Sequence, residues 1–337
     1  MVMASIVFGA GTSHTPMLNS AAEEWPLFEE IDRQRAHLHK DGRPATYDEL
    51  LCVAPVSLRD ELAPEKLAWR HGEAMAAIKR LRDGLAAAAL DAVIVVGDDQ
   101  KEIYHEGNMP SVLVYRGKSI PNVPNRTMRA PAPDIAKRPA WAQRASARYY
   151  EEKETRHYPV DAGLATYLTG ALIDREFDVA SANTLPEGEG EGHAFGFVHQ
   201  RIMKDVPIPV VPIFLNTYYP PNQPSPRRCY RLGQAIREAV ETYPQKMRIG
   251  IVASGGLSHF TVDEALDGEV VRALRKKDAR ALQDLPRAQL NSGSSEIRNW
   301  ICAAGALEHL DLSWVQYYPG YRTQAGTGTG LCFASWS

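Results

Sequence analysis

Five stretches of this chain hold residue types able to do chemistry. The first is Gly9-Ala10-Gly11-Thr12-Ser13-His14-Thr15-Pro16, which follows an apolar strand candidate at 4–8. The second is Gly97-Asp98-Asp99-Gln100-Lys101-Glu102, after the β-branched run 92–96. The third is a glycine- and glutamate-rich loop, 187–193, that ends in His193. The fourth, Ser254-Gly255-Gly256-Leu257-Ser258-His259, repeats the logic of the first: strand, glycines, then Ser-His. The fifth is Glu296, at a helix start after Asn291-Ser292-Gly293-Ser294-Ser295. Histidines plus carboxylates at strand ends supply the ingredients of a 2-His-1-carboxylate site, the arrangement suited to non-haem Fe(II) with open positions. A histidine left off the metal would serve as acid or base near neutral pH. Each stretch alone also has an ordinary reading: His14 and His259 as turn histidines, Glu296 as a first-turn glutamate favoured by the helix dipole. Repetition at successive strand ends, where α/β proteins place their chemistry, gives the set its weight.

The elements that must position these residues follow from periodicity. Strands are expected at 4–8, 92–96, 111–115, 178–183, 208–215 and 248–253, with a last apolar run at 331–336. Helices are expected at 71–90, 160–177, 195–203, 225–243, 263–282 and 296–306. Ser225 and Pro226 read as N-cap and first helical residue. The stretch 121–139 is proline-rich loop, and 320–330 reads as a glycine-rich loop. Strands alternating with helices give one α/β domain, 1–337, on a mainly parallel or mixed central sheet flanked by helices. The polar segment 25–70 is expected as an inserted helical lid. His37 and His39 lie within it, two apart, and read as solvated.

Composition narrows the class. A chain of 337 residues buries a sizeable core without staples. Its four cysteines, Cys52, Cys229, Cys302 and Cys332, lie far apart with no CxxC pair, which fits a reducing compartment. With a net charge of −3 and no long basic run, nucleic acid is not an expected partner. No stretch reads as a signal peptide or membrane span, so a cytoplasmic protein is expected.

The stretches also carry a specific resemblance. The chain resembles the class III extradiol ring-cleavage dioxygenases, the superfamily of the protocatechuate 4,5-dioxygenase catalytic subunit. The matching residues are 11–16, 93–102 with Asn108-Met109-Pro110, 188–193, Tyr218-Tyr219-Pro220-Pro221 with Arg228-Cys229-Tyr230, 254–259 and 292–300, in the family's order. The 97–102 variant and the insertion bearing Arg43-Pro44-Ala45-Thr46-Tyr47-Asp48 look most like the 3-O-methylgallate dioxygenase branch.

The resemblance implies that an Fe(II) enzyme cleaves the ring of a substituted catechol with O2. Protocatechuate, gallate and 3-O-methylgallate are the expected substrates, in the catabolism of lignin-derived aromatics. It implies His14 and Glu296 as iron ligands, His259 as the acid-base histidine, His193 near the substrate, and self-association as a dimer. Where better-known members place their second histidine ligand, this chain has Gln100, whose neutral carbonyl is a weaker ligand for Fe(II). Gln100 at the matched position, Glu102 or His105 would complete the metal site. Gln100 also sustains a competing reading, a metal-dependent hydrolase on the same scaffold. Thr15, Tyr218 and Arg322 are the candidates to hold a ring carboxylate.

Overall fold

The run Ala92-Val93-Ile94-Val95-Val96 is buried at every position. Ala92, Ile94 and Val96 face one apolar core; Val93 and Val95 face a second on the other side of the sheet. A strand with both faces covered needs no polar alternation, which is why it reads as a continuous apolar run. The computed structural model describes residues 3–124, 138–204 and 208–337. Residues 125–137 of the proline-rich loop lie outside the described residues.

Thirteen strands are described. They are β1 (Ser5–Thr12), β2 (His37–Leu38), β3 (Pro44–Ala45), β4 (Ala92–Asp98), β5 (Val112–Tyr115), β6 (Ser119–Asn122), β7 (Arg156–Pro159), β8 (Ala180–Ala182), β9 (Val210–Leu215), β10 (Arg248–Ser254), β11 (His259–Thr261), β12 (Leu312–Tyr321) and β13 (Thr327–Trp336). Nine of them form one mixed sheet in the order β11-β13-β1-β10-β4-β9-β5-β8, with β12 on β13. The centre, β1-β10-β4-β9, is parallel. The carboxyl ends of those strands therefore open at one edge, the place where such sheets bind ligands. β2–β3 and β6–β7 are separate two-stranded ribbons.

Helices cover both faces. Ala162–Ile173, Pro226–Glu241, Glu264–Lys276 and Ile297–Ala306 pack on one; Pro64–Ala87 and the stretch from His193 to Met203 pack on the other. Ser225 caps its helix as expected, accepting from Arg228 N. Two expectations are corrected. The helix expected at 71–90 begins earlier, at Pro64, a residue suited to a first helical turn. The glycine-rich tail is loop only at 322–326; its two ends belong to the long antiparallel pair β12–β13. The glycines allow close approach there. A Cβ on Gly330 would lie 2.1 Å from Asp267 Oδ2, and one on Gly328 2.0 Å from Gly320 O.

The segment 25–63 is a chain of short helical turns and one ribbon, with 64–70 opening the long helix Pro64–Ala87; it docks beside β11 through Thr261 Oγ1, which donates to Leu38 O at 2.8 Å. His37 is buried rather than solvated, its Nε2 2.7 Å from Asp32 O. The same segment is pinned to the sheet by a buried ion pair. Arg322 Nε and Nη2 donate to Asp32 at 2.8 and 2.6 Å, and Thr327 Oγ1 adds a third hydrogen bond at 2.6 Å. Burial disfavours the Asp32 charge, but Arg322 and Thr327 outweigh it and hold the acid below its usual range. Asp32→Asn leaves the Arg322 charge buried without its counter-ion, an expected cost of about 3–5 kcal/mol. Because the folded pKa is depressed, that stabilisation is whole above about pH 4 and is lost as pH falls through the folded value. Urea unfolding of both proteins should therefore show a gap that is constant at neutral pH and narrows in acid. Equal midpoints at pH 7 would remove the pair from the stability of the fold.

Candidate active site

β1, β4 and β10 deliver three of the singled-out stretches to the same sheet edge. His14 lies two residues beyond β1, Asp98 is the last residue of β4, and Ser254 closes β10. Gly11 lies against the indole of Trp300, where a Cβ would come within 2.3 Å of the ring. Trp300 Nε1 donates to Gly255 O at 2.7 Å, so the ends of β1 and β10 are locked to the helix Ile297–Ala306. The short turn Ser292–Glu296 precedes that helix and swings Glu296 under the sheet edge.

The result is a buried group in which one ligand atom each of His14, Asp98, His193 and Glu296 lies within 4.8 Å of the others. His14 Nδ1 is 3.0 Å from Ser254 Oγ, whose own proton goes to Ala194 O at 2.7 Å. Nδ1 must therefore be the donor, which leaves the Nε2 lone pair facing the cluster. That atom is buried, lies 3.1 Å from Glu296 Oε2 and makes no hydrogen bond. An orphaned imidazole lone pair beside two carboxylates is the donor set a divalent cation fits. Burial and the Glu296 charge push Asp98 above the ordinary carboxylate range. Asn299 Nδ2 holds Asp98 Oδ1 at 3.2 Å and Ser254 O at 2.8 Å.

Glu296 is the hub. Its Oε2 accepts Gly256 N at 2.8 Å; its Oε1 lies 3.0 Å from both His259 Nε2 and Gln100 Nε2. Burial opposes its charge, but His259 and His14 together outweigh burial and hold Glu296 well below its usual range. His259 Nδ1 donates to Leu257 O at 2.8 Å, so Nε2 is the nitrogen left to face the site. Its ring is slotted between two glycines: a Cβ on Gly293 would come within 2.4 Å of it and one on Gly256 within 2.9 Å. Burial works against the imidazolium, yet Glu296 raises it above the usual histidine range.

His193 is oriented by Glu102, which accepts its Nδ1 at 2.6 Å and its backbone N at 3.0 Å. Tyr150 Oη donates to the same carboxylate at 2.6 Å. Burial notwithstanding, this pairing lifts His193 to about 10 and holds Glu102 down to about 2. The two alternatives to Gln100 are thereby placed: Glu102 is engaged by His193, and His105 is exposed. Gln100 reaches the cluster through its amide, 3.1 Å from Asp98 Oδ2 and 3.0 Å from Glu296 Oε1. Within the stretch 97–102 that the sequence singles out, Asp98, rather than the expected Gln100, supplies the ligand atom of the cluster. Thr15 is buried beside His14, 3.3 Å from Thr329 Oγ1. Tyr218 Oη lies 3.3 Å from Ser292 Oγ on the turn that carries Glu296. Arg322 is not brought to the cluster; its guanidinium is engaged by Asp32 and lies over Phe28.

Fold and site together define an α/β protein with a buried histidine–carboxylate cluster at the carboxyl ends of its parallel strands. The chain belongs to the family described as the catalytic LigB subunit of aromatic ring-opening dioxygenase, which matches residues 55–331. A gallate dioxygenase of Pseudomonas putida is 35% identical over 100 residues, 29% of this chain and 28% of that protein. A 2,3-dihydroxyphenylpropionate/2,3-dihydroxicinnamic acid 1,2-dioxygenase of Comamonas testosteroni is 35% identical over 96 residues, 28% of this chain and 29% of that protein. The aligned stretches thus span less than a third of these relatives' lengths. Among the described residues, no helix is long and apolar enough to cross a membrane.

Proposed function

We propose that this chain is an Fe(II)-dependent extradiol dioxygenase that opens the ring of a substituted catechol, with protocatechuate, gallate and 3-O-methylgallate as the leading substrates. The observation that carries the reading is the orphaned His14 Nε2 facing two buried carboxylates, with His259 one hydrogen bond away. His14 and Glu296 hold the metal, and Asp98 completes the set. Gln100 steadies both carboxylates from the side. The metal, when bound, gathers the diol and O2 and relays electrons between them.

The chain's own residues handle the protons. His259 takes a hydroxyl proton from the diol at Nε2 and returns it as the ring opens, while Leu257 O keeps the ring from turning. Glu296 sets its readiness: once a cation shares the Glu296 charge, the pull that holds the His259 proton weakens. His193, kept cationic by Glu102, presents a hydrogen-bond donor to an oxygen in the site. The ring cluster of His14, His193, Tyr149 and Phe197 walls the site on the side of the helix that starts at His193.

The test is oxygen uptake by protein loaded with Fe(II) without air and given catechol, protocatechuate, gallate and 3-O-methylgallate in turn. Uptake matched to a new ring-opened chromophore is expected with at least one of them. Stoichiometric iron with no uptake across the panel would end the reading.

A further inference from the structure

A cleft of about 440 Å³ shares no residue with the histidine–carboxylate cluster. The helix Ala140–Ala147 and the residue after it bring Arg144 and Arg148 to its wall, four apart and so on one side of the helix. The helix Pro64–Ala87 brings His71. Arg201 enters from the helical stretch Val198–Met203, and Asn19 from the end of the turn Pro16–Asn19. Three guanidiniums and an imidazole therefore face one cleft. Among its described lining residues the one carboxylate is Glu24.

That carboxylate is already committed. Arg144 Nη2 donates to it at 3.3 Å and Ala21 N at 3.1 Å. The other two arginines have only neutral partners among the described residues. Arg148 Nη1 donates to Asn19 O. Arg201 Nη1 donates to Asn19 Oδ1 at 2.7 Å and to Leu18 O at 3.3 Å, and its Nη2 rests on Met75 Sδ, a weak acceptor, at 3.2 Å. Both forks keep N–H groups to spare. The Asn19 amide nitrogen, in a residue 1% exposed, makes no hydrogen bond either. Arg82 adds a further cation behind, donating to Arg201 O at 2.9 Å. Burial, then the like charge of Arg148, hold Arg201 below the usual arginine range, and burial and Arg201 hold His71 below the usual histidine range. Cations brought together against their repulsion, with donors unspent, are arranged for an anion.

We propose that this cleft is a second binding site, apart from the metal centre, for a small oxyanion-bearing ligand, a carboxylate or a phosphate, held between Arg148 and Arg201. Planar guanidinium forks match both groups. Arg201 is the fixed half of the clamp, seated on Asn19 and Leu18; Arg148 is exposed and is the half that closes on the ligand. The volume lies in the range of small-molecule pockets, about 300–1,000 Å³, and so exceeds what a bare anion needs. Trp141, whose indole meets Phe28 edge-on at 4.7 Å, gives the cleft an apolar wall for the carbon skeleton.

The experiment is calorimetric titration with orthophosphate and, separately, succinate, on metal-free and on Fe(II)-loaded protein without air, in wild type, Arg148→Gln and Arg201→Lys. Wild type is expected to bind at least one probe, one per chain, with a Kd of about 1 mM or tighter, the same with and without iron. Arg148→Gln should weaken binding by about 10- to 100-fold, the range of one charge-assisted hydrogen bond. Arg201→Lys keeps the charge but loses the fork, so it should weaken binding by less. Arg148 is exposed, so its variant carries the test if Arg201→Lys proves unstable. Binding of succinate alone marks a carboxylate ligand, of phosphate alone a phosphorylated one, and of both a site for oxyanions in general. No saturable heat with either probe, heat seen only with iron present, or a Kd that neither variant changes would overturn the assignment. The titration needs neither iron nor turnover, so it stands or falls apart from whether oxygen is consumed.

Discussion

Glu296→Gln folds but no longer holds metal, with affinity reduced more than about 100-fold and ring cleavage at background. The size follows from the number of partners that meet at this carboxylate. Loss of a group that merely orients a metal ligand costs about 10- to 100-fold in affinity, and in the proposed centre Glu296 is itself a ligand. Glutamine preserves shape, and its carbonyl still accepts the Gly256 N–H, so the turn Ser292–Glu296 keeps its anchor. What disappears is the negative charge. Its disappearance also lowers Asp98, since the Glu296 charge is one of the two causes that raise it. Asp98 then ionises more readily but faces the cluster with one carboxylate partner fewer. Metal content after dialysis, competition with a chromogenic chelator and oxygen uptake measure the effect. Stoichiometric metal in Glu296→Gln would remove this residue from the ligand set and leave His14 and Asp98 to hold the ion.

The sequence made the strand ends legible because the signal there is local. A β-branched run followed by glycines and a histidine needs no distant partner to be recognised, and His14 and His259 meet at one carboxylate. The acids 98–102 were harder, because which of them faces the cluster depends on where the strand stops. β4 runs on to Asp98, paired with Leu215 of β9, rather than ending at Val96. That two-residue extension carries Asp98 to the cluster and leaves Asp99 to cap the backbone of 102–104. The pairing of Glu102 with His193 joins residues 91 apart and has no local trace. Arg322 reads from sequence as a free cation for a substrate; only the docking of Asp32, 290 residues away, shows it already engaged. Much of the tail failed as a loop for a related reason. Its glycines answer to backbone approach across the sheet, which propensity along the chain does not report.

The companion expectation concerns the proton rather than the metal. His259→Ala and His259→Gln should keep metal at wild-type stoichiometry and lose turnover by about 10²- to 10⁴-fold, the range of general acid–base catalysis. Metal is retained because His259 meets Glu296 through a hydrogen bond and is outside the group of four. Turnover is lost because no other side chain with a suitable proton shares its place. Gln100 occupies the same Glu296 oxygen but cannot exchange a proton, and His193 is tied to Glu102. The glutamine variant separates chemistry from packing. It can still donate to Glu296 and fill the slot between Gly256 and Gly293, so a purely structural role for His259 predicts near-normal rates in Gln and low rates in Ala. Equal, large losses in both, at unchanged metal content and unchanged substrate binding, would assign the loss to proton transfer. A glutamine variant within about threefold of wild type would instead leave His259 as a wedge that positions Glu296, since a rate within that span is far short of an acid–base effect.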